Sequence, residues 1–172
     1  MEKLTNTKTL TIAAMLTALG IIFGFFKIPI NQIIEIRFDS LPIELAGLLF
    51  GPGIAGIVGG LVDIGSFIVR PTGPFFPGFT VSSIVGGMIY GFVLYKKPIS
   101  LKRIAVAQVL YTLVVGVIMN SYWLDMLYFQ DGFLVTIIAR LPREIIMLPI
   151  KVVMFYGLVR AFGKKRIGEM AN

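Results

Sequence analysis

Ile54-Ala55-Gly56-Ile57-Val58-Gly59-Gly60-Leu61-Val62-Asp63-Ile64-Gly65-Ser66-Phe67-Ile68-Val69 carries one charge, Asp63, in a run otherwise built of aliphatic, aromatic and small residues. A helix only slightly longer crosses a hydrocarbon core about 30 Å thick. Inside lipid every backbone N–H and C=O needs an internal partner, so such a run must be helical. Comparable runs occur at about 10–26, 41–50, 81–95, 104–123 and 133–162. The 172 residues are 56% hydrophobic, against roughly 45–50% in soluble domains, and their mean hydropathy is +0.88. The expected fold is an all-α membrane protein, a compact bundle of six transmembrane helices. Little chain is left over, so residues 1–172 are expected to form a single transmembrane domain.

The breaks between runs carry turn chemistry. Gly51-Pro52-Gly53 separates the second run from the third. Arg70–Thr80 holds three prolines and two glycines, a composition that argues against a helix. Pro142 and Pro149 are expected to interrupt the sixth run. The first run resembles a signal peptide in length, but no small-x-small cleavage site follows it. It reads instead as a first helix.

The basic residues set the orientation. Lys3 and Lys8 precede the first run, Lys96, Lys97, Lys102 and Arg103 lie between the fourth and fifth, and Arg160, Lys164, Lys165 and Arg166 follow the sixth. With six crossings all of these fall on one side, which the positive-inside rule makes cytoplasmic. Both termini are then cytoplasmic in a multi-pass protein of the cell membrane. The net charge of +7 is an orientation signal in this reading, and nucleic acid is not an expected partner.

Several chemistries are excluded by what the chain lacks. It has no Cys and no His, which removes thiol nucleophiles, disulfides, imidazole bases and the usual zinc ligands. Gly51-Pro52-Gly53-Ile54-Ala55-Gly56 matches G-x-G-x-x-G, but no strand precedes it and Asp63 comes too early to meet a ribose. It reads as a cytoplasmic turn. No phosphate-binding G-x-x-x-x-G-K-[ST] motif is present, and no cofactor or metal is expected.

Small residues recur at four-residue spacing: Ala14 and Ala18, Gly47 and Gly51, Ala55 and Gly59, Gly56 and Gly60, Gly87 and Gly91. Such pairs let helix backbones approach closely in lipid. They serve either packing within the bundle or docking onto a partner helix, and Ala14 with Ala18 is the candidate for docking. Charges at membrane depth usually face an interior or a wet cavity. Asp63 is one; it either bonds within the bundle or touches a ligand. Arg140, Glu144 and Lys151 share one helical face, with Arg143 beside them. Arg140 and Glu144 suit a mutual pair, and Lys151 is open between snorkelling and a role inside.

Six crossings gather Arg37, Asp39, Arg70, Phe75, Phe76, Phe79, Asn120, Tyr122, Trp123, Arg140 and Arg143 toward the outer side. Flat aromatic surfaces, Arg forks and an amide suit a planar heteroaromatic ligand bearing carboxylates. Tyr122 and Trp123 also fit an interfacial aromatic belt.

The stretch Leu41-Pro42-Ile43-Glu44-Leu45-Ala46-Gly47-Leu48-Leu49-Phe50-Gly51-Pro52, followed by Gly59-Gly60-Leu61-Val62-Asp63, resembles the substrate-binding S component of energy-coupling factor (ECF) transporters. Phe76-Pro77-Gly78-Phe79-Thr80-Val81-Ser82, Asn120-Ser121-Tyr122-Trp123-Leu124 and Arg140-Leu141-Pro142-Arg143 resemble its folate-specific branch. The resemblance implies a six-helix protein that binds a vitamin from outside and topples in the membrane to deliver it. It implies as partners a transmembrane coupling subunit, contacted through Ala14 and Ala18, and two ATPase subunits. Folate would then set its ring against Phe75, Phe79, Tyr122 and Trp123, and its edge against Asn120 and Asp63. Its two carboxylates would meet Arg37 and Arg143, with Arg140 held by Glu144 and Arg70–Thr80 as a lid. A riboflavin or thiamine S component is the near alternative. A membrane-embedded enzyme would need paired acids, His ligands or a metal cluster, whereas Asp63 and Glu144 are isolated in sequence. A pure scaffold would not need Arg70–Thr80 to be so aromatic and Pro-rich.

Overall fold

The structure is a computed structural model that describes residues 7–25, 27–29, 35–71, 75–129 and 132–162. Six helical rods make up the fold. They are α1 (Thr7–Phe23), α2 (Ser40–Phe50), α3 (Pro52–Val69), α4 (Pro77–Leu94), a compound fifth rod, and α7 (Phe133–Phe162). The fifth rod begins as α5 (Leu101–Tyr111), widens into a π-helical stretch (Thr112–Met119), returns to α in α6 (Asn120–Leu124) and widens again over Asp125–Phe129. Between α1 and α2 a short antiparallel hairpin pairs β1 (Lys27–Pro29) with β2 (Glu35–Arg37). This hairpin is an addition to the all-α expectation.

Polarity is distributed as lipid requires. Ile68, Leu134, Ile138 and Val153 are each more than two-thirds exposed, while Glu44, Gln108, Ser121, Thr136 and Glu144 are buried. Apolar side chains face outward because hydrocarbon, unlike water, does not penalise them, and polar ones turn inward. Pro52–Val69, Pro77–Leu94 and Leu101–Leu127 are each long and apolar enough to cross a membrane. Helix α2 has 11 residues, about 16 Å at 1.5 Å per residue. It is covered by its neighbours, with Leu41–Pro42 and Glu44–Phe50 all buried, so its ends lie within protein.

Glycines place the backbones. A Cβ at Gly91 would meet the backbone of Pro52, one at Gly87 that of Ala55, and one at Gly59 that of Ser83. Thr80 reaches Asp63. These pairs climb α3 as they descend α4, so the two helices run antiparallel in close contact, the geometry small-residue spacing permits. Gly47 joins the same seam, since a Cβ there would lie 2.9 Å from Gly91 N and from Tyr90 Cβ. Gly87→Val would drive a branched side chain into backbone that has no rotamer to yield. Overpacking of this kind costs about 1–3 kcal/mol, and we expect a lower melting temperature in detergent, measured against Gly53→Val, where a Cβ meets nothing.

Three local expectations are corrected. Arg70–Thr80 is not wholly non-helical: α4 starts at Pro77, with the proline in the first turn. Proline is favoured there because its missing N–H has no intrahelical acceptor to satisfy. Residues 72–74 of the expected lid lie outside the described residues. Pro142 and Pro149 do not interrupt α7, which runs unbroken through both. Each removes one N–H donor, to Ile138 and Ile145, a loss membrane helices absorb through neighbours and small adjustments. At Gly51, by contrast, the break is as expected. Its φ of 92° suits glycine, its N–H closes α2 onto Gly47 O at 3.2 Å, and Pro52 opens α3.

Candidate functional site

A cavity of about 430 Å³ lies between α1, α2, α3, α4, the fifth rod and α7. Along α4 its wall runs from Phe79 through Ser82, Ser83 and Gly87 to Tyr90, about 16 Å of helix. Along α7 it runs from Arg140 through Arg143, Glu144 and Met147 to Lys151, positions spaced by three and four that share one face.

The two poles differ in chemistry. At the rim, Phe67, Phe75, Phe76 and Phe79 line the cavity beside Arg70, Arg140 and Arg143. Phe67 and Phe75 meet at 5.1 Å, tilted, and Phe76 and Phe79 at 6.0 Å, edge to face, as aromatic quadrupoles prefer. At the floor Tyr90 and Tyr111 stack at 5.1 Å and 20°, and Lys151 Nζ lies 5.1 Å from the Tyr111 ring centre. Lys151 therefore faces inward and does not snorkel. Tyr90 is itself fixed from behind, its hydroxyl donating to Gln108 Oε1 at 3.1 Å.

Of the residues singled out in the sequence, Asp63, Arg70, Phe75, Phe79, Asn120, Arg140 and Arg143 come together on this wall. Tyr122 and Trp123 do not line it. Tyr122 is half exposed. Trp123 stands one layer back, donating Nε1–H to Ser82 Oγ at 3.1 Å and packing on Phe76 at 5.4 Å. Gly78 makes room for it, since a Cβ there would lie 2.7 Å from Trp123 Cδ2. The Arg37 backbone is in β2, and its side chain lies outside the described residues. Ala14 and Ala18 are on the exposed side of α1, whereas Leu16 and Gly20 are buried.

The charged groups are held to different degrees. Asp63 Oδ2 accepts the Thr80 hydroxyl at 2.7 Å, and Ser83 Oγ is 3.5 Å from Oδ1, too long to add much. The bundle bond is thus present, and a carboxylate has capacity for further donors. Arg140 Nη2 pairs with Glu144 Oε1 at 3.6 Å, as the spacing suggests. Its Nε and Nη1 are nevertheless buried without a hydrogen-bond partner among the described residues, as is Asn120 Oδ1. Buried donors and acceptors are normally satisfied, so these atoms keep unused hydrogen-bonding capacity. Ser66, Ser82, Ser83, Tyr90 and Tyr111 also line the cavity and were not singled out. Serines and tyrosines inside apolar runs carry no signal of which face they occupy until the neighbours are known.

A lipid-facing bundle enclosing a cavity with aromatic walls, arginines at one end and a polar floor defines a membrane protein built to hold a small ligand that is flat and anionic. The chain belongs to the family described as ECF transporter, substrate-specific component, which it matches over residues 8–159. It is similar to the "Folate transporter FolT" of Clostridium novyi (strain NT), 39% identical over 84% of this chain and 83% of that protein. It is also similar to the "Folate transporter FolT" of Leuconostoc mesenteroides subsp. mesenteroides, 30% identical over 90% of this chain and 85% of that one. Among solved structures it resembles one described as "Crystal structure of FolT bound with folic acid", with a TM-score of 0.81 and 30% identity over 92% of this chain and 96% of that chain.

Proposed function

We propose that this chain captures folate from the extracellular side and delivers it as the substrate-specific subunit of an ECF transporter. The observation that carries the reading is the cavity's two-ended chemistry, found in a chain that aligns along most of its length with proteins named for folate transport. Two carboxylates of the glutamate tail need cations once water is removed, and Arg70, Arg140 and Arg143 offer them at the rim. The ring then points inward past Phe75 and Phe79, with Asn120 and Asp63 as polar contacts. Arg37 belongs to the same proposal on sequence grounds. Trp123 and Tyr122 act through the rim, Trp123 by supporting Phe76 and Ser82. Riboflavin and thiamine lack the paired carboxylates that three rim arginines suit. The test is thermal stabilisation of the purified chain by folic acid, riboflavin and thiamine. We expect folic acid alone to raise the melting temperature, and stabilisation by riboflavin or thiamine instead would overturn the reading.

The partners belong to the same proposal: a transmembrane coupling subunit and two ATPase subunits. They supply the ATP hydrolysis for which this chain has no phosphate-binding motif. The orientation has both termini cytoplasmic in a single transmembrane domain, as the basic residues suggest. Because the chain has no Cys, single cysteines report sides cleanly. An impermeant maleimide is expected to label Pro71→Cys in intact cells, and Ser100→Cys only after permeabilisation. The reverse pattern would invert the topology.

A further inference from the structure

Among the described residues, Lys151 is the one cation of the cavity wall at its floor rather than its rim. Behind that floor lies a buried carboxylate. Glu44 on α2 is 0% exposed and is surrounded by Ser40, Tyr90, Gln108 and Lys151. Neither of its oxygens accepts a close hydrogen bond among the described residues. An ammonium at this depth is costly unless polar or charged partners offset it, and Lys151 makes no ion pair within 4.0 Å among the described residues. The other side of Lys151 opens onto the cavity. There its nearest recorded contact is the Tyr111 ring at 5.1 Å, which satisfies none of its three N–H donors directionally.

We infer that Lys151 is a specificity-determining residue that selects a ligand whose inner ring presents a hydrogen-bond acceptor, an oxo group, over one presenting an amino group. This rests on the reading of the site as a folate cavity entered ring first. An ammonium has donors and no acceptor. A 4-oxo pterin offers it a carbonyl oxygen, whereas a 4-amino pterin sets N–H against N–H and leaves both desolvated. A site built to hydrogen-bond one group rejects the analogue lacking it more strongly than a hydrophobic pocket rejects a change of size.

The experiment compares folic acid with its 2,4-diamino analogue, aminopterin, which differs at position 4 and keeps the same tail. Binding is measured on the purified full chain. The wild type is expected to prefer folic acid by roughly ten- to a hundredfold, the range for a hydrogen bond to a charged group. Lys151→Met is expected to shrink that preference by about tenfold or more. Because Lys151→Met alters the surroundings of buried Glu44 and risks misfolding, the paired variant Glu44→Gln with Lys151→Met serves as a second probe, and it is expected to show the same loss of preference. A preference unchanged in the paired variant, or absent from the wild type, overturns the inference while folate binding stands. A wild type that binds neither compound overturns the folate reading itself and this inference with it.

Discussion

Ala14→Trp is expected to leave folate binding intact and to abolish both uptake and assembly with the coupling module. The argument begins with where α1 sits. Only Leu16 and Gly20 of this helix are buried, and a Cβ at Gly20 would lie 2.6 Å from Val62 Cγ2, so that face is committed to α3. Ala14 and Ala18 are exposed one turn apart on the other side. Their neighbours Leu10 and Met15 are exposed too, at 57% and 60%. A bulky ring at position 14 therefore meets lipid in the isolated chain and disturbs no internal contact. Against a partner helix it does the opposite. Association in lipid gains from close backbone approach, because no hydrophobic driving force separates helix from solvent there. An indole holds the backbones apart over the turns flanking it. The measurement is co-purification with the coupling subunit and its ATPases, alongside labelled folate uptake in cells. An Ala14→Trp chain that assembles and transports like the wild type would place the docking surface elsewhere.

What was legible in the sequence follows what survives without knowing neighbours. Six apolar runs with few charges are intrinsic to each segment, and they gave the rods directly. Gly59, Gly87 and Gly91 announce close packing, because backbone lies nearest to where their Cβ atoms would be. Proline was read less well, because its effect depends on position. Pro77 starts α4, and Pro142 and Pro149 ride within α7; the residue type alone does not distinguish a first turn from a break. The π-helical stretches of the fifth rod left no trace, since a run that is apolar on every face carries no phase from which a wider turn shows. The chemistry of Trp123 suits a ligand ring, and it is the neighbours, Ser82 and Phe76, that set it behind the wall. The same holds for Lys151: whether a lysine turns toward water or inward is decided by the facing helices, and here the Tyr111 ring faces its Nζ at 5.1 Å.

The rim arginines yield a sharper test because their environments differ. Arg140 is tied to Glu144 at 3.6 Å, and Glu144 is buried on α7 against Gly116, where a Cβ would lie 2.9 Å from its Oε2. Removing Arg140 strands that carboxylate, so Arg140→Ala is expected to lower stability along with affinity. Losing one partner of a buried pair costs about 3–5 kcal/mol. Arg143 lines the cavity on the same face, and no ion pair to it is recorded among the described residues. Its guanidinium is the better separated probe of the ligand's own charge. An arginine fork meets a carboxylate with two parallel hydrogen bonds, which a lysine does not reproduce. Arg143→Ala is therefore expected to weaken folic acid by about 1.5–3 kcal/mol, roughly ten- to a hundredfold. Pteroic acid, which lacks the glutamate, should bind the variant and the wild type nearly alike, and the melting temperature without ligand should hardly move. Arg143→Lys should recover only part of the loss. Titrating both ligands against both proteins gives the four affinities required. Equal losses for folic and pteroic acid would mean that Arg143 supports the ring pocket or the fold, and that the tail carboxylates are held by Arg70 or Arg140 or stay in water.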